Sequence, residues 1–405
     1  MGISNSSVKL LMIVPSYYGW SGDAVNEREL SFALSRHVKY VYIIALVGLK
    51  QILTKRREEL KIDLRRNMKV IPIPMPYPPK FIIPLIMILY SFLIITPIAI
   101  VLKKSNMINA VYIRNSLLAV GPIAFKKRFK NLATVIPSLV GDELTSRMKN
   151  KLLKSLIKSL CDKIDQFVIE RTDILLTHGW TLAEVLMQKY KCIKNKCLLS
   201  VGPGVDLRKI RVLRKQIKPV KELRVGFIGS LSWWQGVDIL VKAMKIVQKT
   251  RPDVRLYIVG GGSELKFIKG MVEKLAVNAT LTGPIPHNDA LKLLGTFYVL
   301  VIPSRKAFNT ETKIPVKMVE AFAMGIPVLI TNHKVIISHF KNEYDVLYID
   351  DLSPIGVAKK ILMLIENPDL RERLSKNSLR FAREFDYNKM AEKLKDAYEK
   401  FMNQK

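Results

Sequence analysis

A lysine and a glutamate three residues apart are the side chains in this sequence best placed to do chemistry. Lys317 and Glu320 follow Pro315, which fits the first turn of a helix over residues 315–324 because its missing N–H is not needed there. Residues three apart share a helix face, and the free N–H groups at a helix start favour a phosphate. A lysine there can neutralise a diphosphate, while a carboxylate one turn further accepts two hydrogen bonds from a ribose diol. The spacing therefore predicts a nucleotide-sugar site.

The more frequent meaning of this spacing is an exposed ion pair on a helix surface. The neighbouring residues argue against it here. Ala321, Ala323 and Gly325 are small, and a buried strand over residues 327–331 follows at once. Little surface remains for a solvated pair, so we favour the functional interpretation.

Further cations lie close to the start of this helix. Arg305, Lys306 and Lys313 occupy the loop that follows the strand ending at Ser304, and both residue types can meet phosphate charge. The sequence has no Asp-x-Asp pair to hold a divalent ion. We therefore expect the helix N-terminus, the lysines and backbone amides to stabilise a leaving diphosphate without a metal or other cofactor.

Three other residues have weaker signals. Gly260, in a run of three glycines after a strand, could cradle a phosphate or simply turn the strand into a helix. Arg114, at the carboxyl end of a predicted strand, could face a cleft or the solvent. His178, which also follows a strand, is expected to be structural.

Alternating strands and helices must position these residues. Short runs of valine, isoleucine and leucine are separated by segments of helical period, which is typical of a parallel sheet covered on both faces. In the first half the runs are residues 9–15, 40–46, 68–74, 109–114, 132–138 and 173–179. The pattern restarts near residue 205, with runs at residues 223–230, 254–262, 299–304 and 327–331. The fold class is therefore α/β, with two doubly wound units whose ligands should sit at the carboxyl ends of the strands.

Two segments of the first half suit a membrane surface. Residues 81–102 carry no charge and are long enough to span a bilayer. Because two prolines divide them and they fall between two strands of one sheet, we favour a buried or membrane-dipping pair of helices over a spanning one. Residues 148–164 place an apolar residue at every fourth position, with lysines on the other faces. That helix could pack on its own sheet with a solvated basic side, or lie against anionic lipid.

The charge balance narrows the choice of partners. The chain has 405 residues with 66 Lys+Arg against 34 Asp+Glu, a formal net charge of +32. Such an excess predicts nucleic acid, anionic lipid or phosphate-bearing substrates as partners. No nucleic-acid recognition motif or basic-aromatic platform is present, which disfavours the first. The three cysteines lack metal-site spacing, so we expect a reducing compartment and no structural zinc.

The C-terminal half resembles the retaining glycosyltransferases of family 4, whose two Rossmann-like domains form the GT-B fold. Four stretches carry the resemblance over roughly residues 200–390: residues 226–244, 256–264, 281–304 and 315–331, the last reading PVKMVEAFAMGIPVLIT. The N-terminal half matches more loosely, through residues 13–34 and 201–210. The resemblance implies a GT-B protein whose nucleotide sugar lies in an interdomain cleft, mostly on the second domain.

The resemblance also assigns roles to individual residues. It implies that Glu320 holds the ribose, and that Gly22 and Gly229 let the backbone approach the phosphates from two sides. The family commonly has a basic pair in the loop after the first strand of the second domain. In this chain those places hold Ser230 and Gln235.

The paired glutamates of the family, spaced E-x7-E, would put a carboxylate at Thr312, and Glu311 is one residue off. A P-x-K-x-x-E variant without the first glutamate is reproduced by Pro315, Lys317 and Glu320. The predicted catalytic residues are accordingly Lys317, Glu320 and Thr312. Donor contacts are expected from Gly22, Gly229, Ser230, Gln235, Gly260, Lys313, Ile314, Pro315, Lys317 and Glu320.

These features predict three parts. Residues 1–205 would be an acceptor-binding Rossmann-like domain that includes the apolar segment 81–102, and residues 206–380 a nucleotide-sugar-binding Rossmann-like domain. Residues 381–405 would form a C-terminal helix whose apolar face packs back on the first domain.

The predicted function is that of a retaining hexosyltransferase. It would move a sugar from a nucleotide diphosphate sugar to a lipid-linked or cell-surface glycan at the cytoplasmic face of a membrane. Its attachment would be peripheral rather than spanning. Another GT-B activity, such as a sugar-nucleotide epimerase or an inactive scaffold, remains an alternative, and a nucleic-acid-binding protein is a less favoured one.

Overall fold

The computed structural model describes residues 6–18, 22–49, 64–76, 82–145, 148, 150–195, 197–218 and 220–403. The chain folds as two compact units. The first combines the first strand with Asp23–Gly202 and Tyr387–Lys405, and the second is Pro203–Asp386 together with Gly22. Each unit is built around its own parallel sheet.

The first unit has a seven-stranded sheet among its described residues, in the order β3-β2-β1-β4-β5-β6-β7. Its central strands are buried on both faces, as expected where helices cover a parallel sheet on each side. The strands are β1 (Lys9–Val14), β2 (Tyr40–Gly48), β3 (Met68–Met75), β4 (Ala110–Arg114), β5 (Leu132–Ile136), β6 (Ile174–Thr177) and β7 (Cys197–Ser200). The helices between them are α1 (Gly22–Leu34), α2 (Ile83–Lys104), α3 (Ser116–Ala124), α4 (Val140–Thr145), α5 (Lys151–Arg171) and α6 (Trp180–Lys189).

The second unit has a six-stranded sheet among its described residues, in the order β10-β9-β8-β11-β12-β13. The strands are β8 (Leu223–Ile228), β9 (Val254–Val259), β10 (Ala279–Gly283), β11 (Val299–Ile302), β12 (Val328–Thr331) and β13 (Leu347–Ile349). The helices are α7 (Leu207–Gln216), α8 (Val237–Thr250), α9 (Leu265–Lys274), α10 (His287–Leu294), α11 (Phe308–Thr312), α12 (Val316–Met324), α13 (Lys334–Ile337), α14 (Pro354–Glu366) and α15 (Pro368–Ala382). Both sheets are parallel throughout their described pairings.

The C-terminal helix α16 (Tyr387–Asn403) belongs to the first unit. Its Leu394 and Tyr398 are fully buried in the core formed by the central strands, and the Tyr398 hydroxyl donates to the carbonyl of Val111 at 2.9 Å. The second unit extends to Asp386, beyond the limit at residue 380 that the sequence predicted.

The strands that sequence reasoning missed are β7, β10 and β13. All three are short and lie at the edges of their sheets. An edge strand pairs on one side only, so it needs fewer buried apolar residues and leaves a weaker pattern in the sequence.

The apolar segment forms one continuous helix instead of the expected pair. A π-helical stretch, Ser91–Ile95, lies in the middle of α2 and immediately precedes the Thr96-Pro97 step. Widening the helix at this point accommodates a proline ring that would otherwise clash with the preceding turn. By length and composition alone, the 22 residues of α2 could cross a membrane, and an 18-residue window within them has a mean hydropathy of 2.7.

The two faces of α2 have different surroundings. Met87, Ile95 and Ala99 are buried in the core that α2 shares with α3 and α5. Large apolar side chains on other faces are exposed to solvent: Leu85, Leu89, Phe92, Leu93 and Val101. The helix is thus held along one side by its own unit.

A buried ion cluster lies at the carboxyl end of β4. The guanidinium of Arg114 forms ion pairs with Glu27 and Asp23 of α1, the latter at 2.5 Å, and lies 3.1 Å from Nε2 of His178. The Tyr112 hydroxyl donates to Glu27 at 3.2 Å. Arg114 is 3% exposed and Glu27 is fully buried. Arg114 therefore lies neither in a solvent-filled cleft nor on the surface.

Burial and charge act against each other in this cluster. Burial raises the pKa of Glu27, and Arg114 opposes that rise. Burial alone would lower the pKa of Arg114, but Glu27 and Asp23 outweigh it, so the pKa is raised. The cluster fixes the start of α1 to the end of β4.

We expect Arg114→Met to lower the free energy of unfolding by about 3–5 kcal/mol, because it leaves the buried Glu27 carboxylate without its partner. Urea unfolding at neutral pH measures this. Arg251→Met is the matched control, since it removes an arginine whose partner Asp253 is solvent-exposed, and exposed pairs add little to stability. Equal losses in the two variants would contradict the assignment.

Candidate active site

Lys317 of α12 reaches across to the loop after β8. Its Nζ donates to Oε1 of Gln235 at 2.8 Å and lies 4.0 Å from the centre of the Phe227 ring. A Cβ added to Gly229 would lie 2.8 Å from Nζ. Gly229 must therefore lack a side chain for the lysine to occupy this place. The structure thus brings two predicted site residues of one loop, Gly229 and Gln235, next to a third, Lys317, which lies 82 residues after Gln235.

The ammonium of Lys317 has no counterion among the described residues. It forms no ion pair with any of their carboxylates. Burial lowers the pKa of Lys317 to about 7, against a smaller opposing effect of Glu320. A desolvated cation without a counterion is unfavourable and is typical of functional positions. An anionic ligand would supply the missing charge.

Glu320 is held by a histidine that sequence reasoning assigned no role. Its Oε1 lies 2.6 Å from Nε2 of His287, the first residue of α10. A ring nitrogen facing a carboxylate must carry the proton, so His287 donates. Glu320 is 8% exposed, and its Oε2 makes no hydrogen bond with any described residue. One carboxylate oxygen is thus fixed and the other is available.

Lys317 and Glu320 do not pair with each other. Each has its own partner from a different loop, Gln235 for the lysine and His287 for the glutamate. The interpretation as an exposed ion pair is therefore wrong. The sequence signal for His287 was its place at a helix start within one of the stretches that resemble the family.

The helix start has the expected local geometry. Pro315 has an extended backbone and directly precedes the first helical residue, Val316, while Gly325 ends α12 with φ 74°. Ile314 is buried and Lys313 is half-buried beside it. The backbone N–H groups of the first turn of α12 consequently adjoin the lysine and the glutamate.

The glycines after β8 and β9 allow two loops to approach closely. Gly229 donates its N–H to Val259 O at 2.9 Å, and Leu231 donates to Gly261 O at 2.9 Å. A Cβ on Gly260, whose φ is 125°, would lie 2.1 Å from Gly229 O. This contact accounts for Gly260 without a ligand, and a contact with phosphate stays a prediction.

Thr312 has a structural environment. It is buried, and its hydroxyl donates to Phe308 O at 2.8 Å inside α11. The nearby Glu311 accepts from Nδ1 of His333 at 3.1 Å and from the backbone of Lys334. Neither residue brings a second carboxylate to Glu320, which agrees with the P-x-K-x-x-E form of the motif.

The expected phosphate-binding role of Arg305 is not supported. Its guanidinium forms two hydrogen bonds with Asp238, at 2.8 and 2.7 Å, and donates a third to Trp233 O at 2.6 Å. Burial would raise the pKa of Asp238, but Arg305 outweighs it and lowers the pKa. The arginine ties its own loop to α8, while Lys306 is exposed and forms no hydrogen bond or ion pair with a described residue.

Two more predicted contact residues lie at open positions. Ser230 is exposed at the end of β8. Gly22 is the first residue of α1, and a Cβ there would meet no described atom within 4 Å. Among the residues that the structure describes, no group of three or more His, Cys, Asp or Glu could hold a metal ion.

Comparison with known sequences identifies related proteins. The family model described as "Glycosyl transferases group 1" matches residues 209–381. An uncharacterized glycosyltransferase of Methanocaldococcus jannaschii, MJ1069, is 23% identical over 302 residues, 72% of this chain and 74% of that protein. Spore coat protein SA of Bacillus subtilis is 30% identical over 271 residues, 59% of this chain and 69% of that protein.

A third relative has a more specific name. The N,N'-diacetylbacillosaminyl-diphospho-undecaprenol alpha-1,3-N-acetylgalactosaminyltransferase of Campylobacter jejuni is 24% identical over 224 residues. The aligned part is 51% of this chain and 55% of that enzyme.

Solved structures confirm the fold. Sucrose-phosphate synthase from Thermosynechococcus elongatus matches with a TM-score of 0.74 and 17% identity, covering 98% of this chain and 99% of that one. HepE from Anabaena in complex with UDP-glucose matches with a TM-score of 0.67 and 13% identity, covering 97% and 100%. The two parallel-sheet units and these likenesses confirm the GT-B fold predicted from the sequence.

We expect the affinity for a nucleotide sugar to fall as the pH rises above about 7. Anion binding needs the charged form of Lys317, whose pKa is lowered to about 7. Affinity should be constant below that pKa and fall up to tenfold per pH unit above it, until the pKa of the bound state is reached. Calorimetry with UDP-glucose as the probe, over a pH series on either side of neutrality, measures this.

Lys317→Arg is the control for the pH series, because an arginine keeps its charge at every pH tested. That variant should bind with little pH dependence, whereas Lys317→Met should bind weakly throughout. A wild type whose affinity does not change above neutrality would show that Lys317 does not meet the diphosphate.

Proposed function

This chain belongs to the group 1 glycosyltransferases, and we propose that it is a retaining hexosyltransferase of family 4. It would move a sugar from a nucleotide diphosphate sugar to a lipid-linked or cell-surface glycan at the cytoplasmic face of a membrane. The observation that carries the donor assignment is the unpaired ammonium of Lys317 next to the available oxygen of Glu320.

Each of the two side chains has a defined task in this proposal. The Lys317 ammonium neutralises the diphosphate, which also meets the first N–H groups of α12. Oε2 of Glu320 accepts from the ribose diol, while His287 keeps the carboxylate in place through Oε1. HepE, whose structure contains UDP-glucose, shares the fold and supports a donor of this class.

The same groups suit the chemical step. When the bond between the anomeric carbon and the phosphate oxygen breaks, its electron pair leaves with the diphosphate. Lys317 and the helix N-terminus stabilise that developing charge, and they are in place before it forms. The acceptor hydroxyl oxygen bonds to the anomeric carbon on the same face, and its proton passes to a diphosphate oxygen. Retention of configuration follows.

Membrane association is supported by exposed apolar side chains on two helices of the first unit. The first ten residues of α5 include no buried residue, and Leu152, Leu156 and Leu160 are all more than half exposed there. Lys151 and Lys154 accompany them. The exposed side of α2 adds further apolar surface. Apolar residues flanked by lysines suit an anionic lipid surface.

Both helices are placed to act together. α3 packs against each of them, and α2 and α5 share one core beneath. Since α2 is held along one side in its own unit, peripheral contact fits it better than a spanning position. The Campylobacter jejuni relative is named for an acceptor linked to diphospho-undecaprenol, which supports a lipid-linked acceptor here.

We expect one nucleotide sugar from a panel to bind the purified protein, and Glu320→Gln to weaken that binding on the order of 10- to 100-fold. Hydrogen bonds to a charged acceptor contribute about 1.5–3 kcal/mol, and the variant loses part of that. Calorimetry measures binding, and the anomeric configuration of the product, read by NMR, tests retention.

Glu311→Gln is the matched control, because the Glu311 carboxylate already accepts hydrogen bonds from His333 and Lys334 and has no task in the proposal. It should leave donor binding unchanged. If Glu311→Gln abolishes binding and Glu320→Gln does not, the carboxylate is misassigned. A folded wild type that binds no donor would favour an inactive scaffold, and donor binding without transfer would favour another GT-B activity.

We expect the triple variant Leu152→Ser, Leu156→Ser, Leu160→Ser to bind anionic vesicles at least tenfold more weakly than the wild type. Full burial of each leucine contributes about 1.5–3 kcal/mol, of which partial insertion gains a share. Flotation with phosphatidylglycerol vesicles measures it. The control variant carries Phe267→Ser, Ile337→Ser, Ile355→Ser. It removes three apolar side chains of the second unit that are also more than half exposed, and it should not change flotation. Equal loss in both would contradict a specific surface.

A further inference from the structure

A basic pocket lies at the amino ends of two strands of the first unit, away from every residue assigned above. It has a volume of about 640 Å³ and is formed where α3 and α5 end and β5 and β6 begin. Its lining contains five cationic side chains and one carboxylate: Lys126, Lys127, Arg128, Lys130, Arg171 and Asp173.

The turn that carries three of these five cations is anchored to the hydrophobic core. Residues Lys126–Arg128 form a 3-10 turn, closed by hydrogen bonds from Arg128 N to Phe125 O and from Phe129 N to Lys126 O. Phe129 is 1% exposed and sits in the core shared by α2, α3 and α5. A ligand would therefore meet a turn that is already ordered, which lowers the entropy cost of binding.

Two of the five cations already have partners. Lys126 forms an ion pair with Asp173 at 2.9 Å and donates to the last carbonyl of α5, that of Arg171. Arg171 pairs with Glu170 at 3.3 Å and stacks on the ring of Phe167. These contacts join the turn to the end of α5.

The other three cations have no such partner. Lys127, Arg128 and Lys130 are exposed and form no ion pair with any described carboxylate. All three line the same pocket, Lys127 and Arg128 from the anchored turn and Lys130 from two residues after it. The planar guanidinium of Arg128 can bind a phosphate with two parallel hydrogen bonds, and the two lysines add mobile charge around it.

The position of the pocket separates it from donor and acceptor binding. Lys130 and Asp173 lie just before β5 and β6, whereas substrates of open parallel sheets sit at the carboxyl ends of the strands. We propose that this pocket is a second anion site, which binds a phosphate group of a membrane lipid or of a soluble phosphorylated molecule. Phe125, 44% exposed beside the cations, gives the pocket an apolar rim that suits a lipid headgroup with its first acyl carbons.

The test uses the full chain and two matched triple variants. The pocket variant carries Lys127→Ala, Arg128→Ala, Lys130→Ala and so lacks the unpaired cations of the pocket. The α9 variant carries Lys266→Ala, Lys269→Ala, Lys274→Ala, which remove the same charge from exposed positions on α9. The probes are vesicles of equal parts phosphatidylglycerol and phosphatidylcholine, vesicles of phosphatidylcholine alone, and inorganic phosphate. Thermal melting confirms that all three proteins are folded.

For a lipid headgroup, the pocket variant should bind the anionic vesicles on the order of 100-fold more weakly, since each cation near such a surface contributes about 1 kcal/mol. The α9 variant should bind like the wild type, and inorganic phosphate should not bind. For a soluble phosphate, inorganic phosphate should saturate the wild type and the α9 variant and fail to bind the pocket variant. The pocket variant would still bind any phosphate that binds at Lys317. Binding at Lys317 is thereby distinguished from binding in the pocket.

Equal weakening of vesicle binding in the two triple variants would overturn the proposal, because net charge alone would then explain it. No change in either probe for the pocket variant would overturn it as well. Donor binding is measured separately on the same proteins, and the pocket variant should retain it. Failure of the anion site and failure of the glycosyltransferase proposal therefore give different results.

Discussion

The candidate site depends on a lysine ammonium that is withdrawn from water without a carboxylate to pair with. Leaving a buried charge unpaired is unfavourable, and the structure relieves that cost only in part. Gln235 accepts one hydrogen bond from Lys317, the Phe227 ring lies against Nζ, and the pKa falls to about 7. A bound diphosphate would remove the remaining penalty. The site is thus arranged for a bound anion, and this arrangement accounts for Gly229, whose missing side chain leaves room for the lysine.

The position of Lys317 also explains the departures of this chain from its family's common pattern. Ser230 and Gln235 lie at the positions where the family commonly has a basic pair. The guanidinium of Arg305 is hydrogen-bonded to Asp238. The cation comes instead from α12 and reaches the same loop from the other side. Gln235 accepts a hydrogen bond from that lysine. A phosphate site needs a charged group at the right position, whichever element carries it, so a helix residue can replace loop residues.

The cationic side chains of the first unit differ in whether carboxylates pair with them. Near the carboxyl ends of its strands, Arg114 is compensated by Glu27 and Asp23 and serves stability. At the amino ends of β5 and β6, three cations remain unpaired around one pocket. The exposed apolar side chains of α2 and α5 lie on helices that share a core with that pocket's anchor, Phe129. Apolar and cationic surfaces thus occur on one helical layer, as peripheral contact with anionic lipid requires.

The sequence by itself determined the α/β class, the central strands, the helix that carries Lys317 and Glu320, and the resemblance to a glycosyltransferase family. These follow from local periodicity, from proline and glycine at helix ends, and from short motifs, all of which are readable over a few residues. The edge strands β7, β10 and β13 were missed because pairing on one side leaves a weak pattern. Only the tertiary structure decided the partners. His287 meets Glu320 across 33 residues and Gln235 meets Lys317 across 82, because packing of distant loops, which no local pattern encodes, sets those contacts.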